Sequence, residues 1–69
     1  MQSAETIVNA YNRKAERARS RTGFSWPILA ARHVVRNNDE DTRGVFEQDG
    51  EAFAHWKVDT RGRVRVKLA

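Results

Sequence analysis

Ala4, Ile7, Val8, Tyr11, Ala15 and Ala18 recur at helical spacing near the start of the chain. Wound at about 3.6 residues per turn, these positions form one apolar stripe, with Arg13, Lys14, Arg17 and Arg21 largely off it. Ser3 precedes the stripe as an N-cap, Glu5 places a carboxylate where the helix dipole favours an anion, and Gly23 is a natural stop. The pattern predicts a helix over residues 3–21. Ser25-Trp26-Pro27 is a second start signal, because proline is tolerated in a first helical turn. Ile28, Leu29, Ala30, Ala31, Val34 and Val35 follow as a denser apolar segment that ends at Asn37-Asn38. This predicts a second, more buried helix over 26–37, with Trp26 plugging the gap between it and the rest of the core.

From Arg43 the period changes to two. Asp49-Gly50 separates Val45-Phe46-Glu47-Gln48 from Glu51-Ala52-Phe53-Ala54, and both turn residues tolerate the positive φ of a two-residue hairpin. That turn pairs Gln48 with Glu51, Phe46 with Phe53 and Val45 with Ala54. The next connection follows from register. Only a three-residue loop, Thr60-Arg61-Gly62, keeps Val58 and Val64 on one face, and it puts Gly62 where a left-handed residue is wanted. Strands are expected over 43–48, 51–59 and 63–68. The expected architecture is α+β: a single domain, 1–69, with two N-terminal helices packed on one face of a three-stranded antiparallel meander.

This register assigns the two sheet faces. Val45, Ala52, Ala54, Trp56, Val58, Val64, Val66 and Leu68 face the helices, with Glu47 on the same side near the rim. Phe46, Phe53, His55, Lys57, Arg63, Arg65 and Lys67 face outward, with Lys57 opposite Arg65 and His55 opposite Lys67. Like charges opposed across strands are destabilising.

Charge sharpens that picture. The 69 residues carry 13 Lys and Arg against 9 Asp and Glu, a net +4. Residues 1–38 hold +5, residues 39–59 hold −5 and the last ten hold +4. Two basic blocks flanking an acidic middle favour a polyanionic partner. Bases can stack on aromatic rings while Arg and Lys track phosphates. The chain therefore reads as a small nucleic-acid-binding protein of regulatory type, for DNA or RNA. Its site would be Lys57, Arg63, Arg65, Lys67 and His55 with Phe46 and Phe53, supplemented by Arg13 and Arg17 of the first helix. A second reading is a protein-binding inhibitor or accessory module of phage or plasmid type. It would act on a host or regulatory protein and be anchored by the Phe46–Phe53 pair.

Other chemistry finds little support. The chain has no cysteine, so neither disulfides nor thiolate metal sites are available. Asp39-x-Asp41-x-Arg43-Gly44 opens like a calcium loop but has Arg43 at its fifth position and Gly50 at its twelfth. No cofactor or metal is expected, and no catalytic residue. Two helices leading into the sheet that ends Val58-Asp59-Thr60-Arg61-Gly62-Arg63-Val64 loosely resemble in layout the small toxin ribonucleases of the RelE type. That resemblance implies His55 as general acid or base, with Arg63 and Arg65 stabilising a phosphorane-like state. The reading preferred from the residues is a non-enzymatic one. No apolar run is long enough to span a membrane and the N-terminus lacks a signal-peptide pattern, so a cytoplasmic location is expected. So short a chain has a thin core, which a homodimer would enlarge.

Overall fold

A computed structural model describes residues 2–37 and 40–68, apart from the side chains of residues 40, 41 and 53. Helix α1 runs over Ala4–Thr22. Ser3 caps it, its hydroxyl accepting from the Thr6 N–H at 3.1 Å. Gly23 closes it in the left-handed region at φ 77°, its N–H donating to the Arg19 carbonyl at 2.8 Å. The stripe read from the sequence is the buried face: Ile7, Val8, Tyr11, Ala15 and Ala18.

The second helix expected over 26–37 does not form. Residues 23–30 run without regular structure, Ala31–His33 make a single 3-10 turn, and Val34–Asn37 form strand β1. Two physical reasons stand out. Side chains of α1 satisfy the backbone of the irregular stretch, which removes the need for a helical ladder. The Tyr11 hydroxyl donates to the Pro27 carbonyl at 2.7 Å, and Asn12 grips Leu29 at both ends, donating to its carbonyl at 3.3 Å and accepting from its N–H at 3.4 Å. The β-branched pair Val34-Val35 then finds a partner strand. The dense apolar run does not make one buried face either, since Leu29 is buried while Ile28 is 83% exposed.

Among the described residues the sheet has four strands where three were expected. β1 (Val34–Asn37), β2 (Glu40–Gln48), β3 (Glu51–Val58) and β4 (Val64–Leu68) pair in chain order, each antiparallel to the next. Asn38 and Asp39, read as helix end and acidic loop, lie outside the described residues. Asp49 and Gly50 both adopt positive φ, 55° and 81°, as a primed two-residue turn requires. In the β3–β4 hairpin, Val58 faces Val64, Trp56 faces Val66, Ala54 faces Leu68, and Gly62 has φ 79°.

The β2–β3 register departs from the sequence reading. Gln48 faces Glu51 and Glu47 faces Ala52, but the ladder then slips and Phe46 faces Ala54, not Phe53. Phe53 is the extra residue of a β-bulge. A shift of one residue turns a strand segment over. Phe46 is therefore fully buried, with its ring centroid 4.9 Å from that of Tyr11. Val45 leaves the core face and Glu47 leaves it too, which removes an acid from the apolar side. Gly44 comes to lie opposite Trp56. The core joins Ile7, Val8, Tyr11 and Ala15 of α1 to Leu29, Phe46, Ala54, Trp56 and Val66. Trp26, half-buried, packs at its margin and meets Phe24 edge-on at 5.1 Å.

Candidate nucleic-acid interface

Alternation along the strands sends Phe46, Ala54, Trp56 and Val66 toward α1 and leaves the intervening residues on the far side of the sheet. That far side is a shallow groove of about 620 Å³. Val35 and Val45, directly paired, give it an apolar patch beside β1. The rest is basic. Arg43 faces Lys57 and Lys57 faces Arg65, so one row of cations crosses three strands. A second row runs from Val45 through His55 to Lys67.

Neighbouring strands lie about 4.8 Å apart, so the three cationic positions of the first row fall within roughly 10 Å. Two unit charges about 5 Å apart repel by roughly 0.8 kcal/mol even in water. Such a row favours an anion laid across it.

Asp59 is the counterweight. It sits at the neck of the β3–β4 hairpin, where its Oδ1 accepts from the Arg61 and Arg63 backbone N–H groups at 2.9 Å each. Its Oδ2 meets the Arg65 guanidinium at 3.3 Å. The Arg63 N–H, and after it the Arg61 N–H and the Arg65 side chain, hold the Asp59 carboxyl below the usual carboxylate range. The pairing orients Arg65 without hiding it, since its side chain stays 67% exposed. Arg63 itself closes the hairpin, its carbonyl accepting from the Asp59 N–H at 2.8 Å.

Cations of α1 gather on the other side of β4. Arg13, Lys14, Arg17 and Arg21 line a groove of about 490 Å³ between the helix and the strand, together with Arg65 and Val66. The Lys14 ammonium is tied down, donating to the Val66 carbonyl at 2.6 Å.

Of the site residues read from the sequence, His55, Lys57, Arg65 and Lys67 share the outer groove, Arg13 and Arg17 share the second, and Arg63 lines neither. Phe46 is in the core and can stack on nothing outside it. The Phe53 side chain lies outside the described residues. The sequence reading missed Arg43, because an unbulged register sends that residue to the core face. A signal was present: glycine inside a strand marks a close backbone approach. Placing Gly44 against Trp56 would have set Arg43 against Lys57. Among the described residues, no group of three His, Asp or Glu is arranged to hold a metal ion, and no helix is long and apolar enough to cross a membrane. The layout likeness to toxin ribonucleases loses the second helix on which it partly rested.

Comparison with protein-family models, curated proteins and solved structures yields no match.

Proposed function

We propose that this protein binds nucleic acid through the outer groove of its sheet, as a binding protein and not as an enzyme. The observation that carries this reading is the row Arg43–Lys57–Arg65, three cations opposed across adjacent strands. Lys67 and His55 extend the row along the strands, and the net +4 gives the whole chain an attraction for polyanions. Of the aromatic rings described, Tyr11, Phe46 and Trp56 are buried and the exposed Phe24 does not line this groove, so contact with phosphates carries the affinity.

The test is fluorescence anisotropy of labelled oligonucleotides as a function of salt. Affinity should fall log-linearly with salt as phosphate contacts release counterions. Lys57→Glu, at the centre of the row, removes one attraction and adds one repulsion of roughly 1 kcal/mol each, and should weaken binding by on the order of tenfold or more. A folded Lys57→Glu protein with unchanged affinity refutes the assignment.

The protein-binding alternative loses the Phe46–Phe53 pair expected to anchor it, since Phe46 is buried and faces Ala54. It keeps the acidic segment over 39–59 that motivated it and gains the segment after α1, where Phe24 is 59% and Ile28 83% exposed.

A further inference from the structure

We infer that the nucleic acid is a single strand that turns round the edge of β4, from the outer groove into the groove between β4 and α1. This rests on the nucleic-acid reading of the outer groove and extends it to a second surface. The connecting observation is that Arg65 and Val66 line both grooves, so the two basins meet at β4 and do not lie apart.

The second groove is built like a continuation of the first. Arg13, Arg17 and Arg21 recur every four residues and form one ridge of α1 along it. At 1.5 Å of rise per residue they stand about 6 Å apart, a spacing that an extended chain of phosphates can follow. Glu16 lines neither groove, though it shares a depression on the neighbouring flank with Arg13, Arg17 and Arg21. Arg65, on the shared ridge, then hands the strand from one side to the other.

Flexibility selects the single strand. The domain is a slab only 18 Å through its thinnest dimension. A ligand that occupies both grooves must change direction sharply where they meet. Duplex DNA stays straight over about 150 base pairs, and bending it within a short site costs several kcal/mol. A single strand turns freely, and with no exposed Phe, Tyr or Trp ring among the described residues of either groove it would be held chiefly by its phosphates.

The experiment compares salt dependence for a single strand of about 5 nucleotides, one of about 15, and a duplex of the longer length, near the range of sizes that single-strand sites occupy. The variant is Arg13→Gln/Arg17→Gln/Arg21→Gln. Lys14 is left intact because it is bonded to β4, and Arg13→Lys/Arg17→Lys/Arg21→Lys serves as the charge-preserving control. Losing three phosphate contacts should lower the salt slope for the long strand by about 2, from 0.7 per phosphate. The short strand and the duplex should keep their slopes, and the lysine variant should keep that of the long strand. An unchanged long-strand slope in the folded glutamine variant overturns the inference while leaving the outer groove standing. A duplex that binds as tightly and loses the same slope overturns the single-strand assignment. Absence of binding to every oligonucleotide at low salt removes the inference together with the reading beneath it.

Discussion

Gly44→Ala should destabilise this protein strongly, although the same exchange at an unhindered site does the reverse. Alanine in place of glycine restricts the unfolded chain and stabilises by about 0.4–1 kcal/mol where the native backbone accepts it. Gly44 does not have positive φ, so its backbone raises no objection. Space does. A Cβ there would overlap the Val35 carbonyl oxygen and come within 2.8 Å of Cζ2 and Nε1 of Trp56. Neither neighbour can yield cheaply. The Val35 carbonyl belongs to the β1–β2 ladder, and Trp56 is 2% exposed in the middle of the core with the Arg36 guanidinium 5.8 Å from its ring centroid. Overpacking costs about 1–3 kcal/mol, and part of the 3–5 kcal/mol held by a buried tryptophan is at risk if the indole is pushed out. A net loss of about 2–3 kcal/mol is expected. A domain of this size has roughly 3–10 kcal/mol in all, so Tm should drop by about 10–20 °C. Urea unfolding followed by tryptophan fluorescence, with a thermal melt by circular dichroism, measures both. Equal or greater stability in Gly44→Ala would refute the packing of Trp56 over Gly44, and with it the bulged register that puts Arg43 in the cationic row.

Two further outcomes test other parts of the structure. Burial pushes the Tyr11 phenol up to about 12; because the folded state keeps its proton while the unfolded state gives it up near pH 10, stability should be complete below that point and fall between pH 10 and 12, and phenolate absorbance with a midpoint near 10 in the folded protein would contradict the buried position. Asp59 has its carboxyl lowered in the fold, so its contribution is present above the ordinary carboxylate range and is lost as pH falls through the depressed value; Asp59→Ala should speed hydrogen exchange at the Arg61 and Arg63 amides, and unchanged protection there would show that the carboxylate does not hold the hairpin.

Local chemistry made some elements legible and tertiary context decided the others. Ser3, the apolar stripe and Gly23 specify α1 without help from the rest of the molecule. Gly62 and the alternation of Trp56, Val58, Val64 and Val66 fix the β3–β4 register, since loop length and hydrophobic face agree. The segment over 26–37 was not legible in this way. An apolar run of this length fits a helix or a strand equally well, and the deciding contacts come from Tyr11 and Asn12, far away in sequence. The bulge at Phe53 escaped for a related reason. A two-residue turn predicts an unbroken ladder, whereas the bulge seats Phe46 in the core and sets Gly44 opposite Trp56. That one-residue slip accounts for the largest changes at the site: Phe46 passes to the core, and Arg43 joins the cations. The convergence of Arg13, Arg17 and Arg21 with Arg65 across β4 depends on how the helix lies on the sheet, which no local pattern encodes.

The bond from Lys14 to the Val66 carbonyl has a consequence for how copies of this chain behave when crowded. A strand at the rim of a sheet offers its unpaired backbone to any neighbour, and ordered aggregates grow by that route. On β4 an incoming strand would have to strip away the Lys14 ammonium and then settle beside Arg63, Arg65 and Lys67 with a like-charged set of its own. At the opposite rim β1 offers only four residues and its ladder is irregular at Arg36-Asn37. Both rims of the sheet are thus poor templates, and the arginines and lysines proposed to draw in a polyanion also keep sister chains from adding to the sheet.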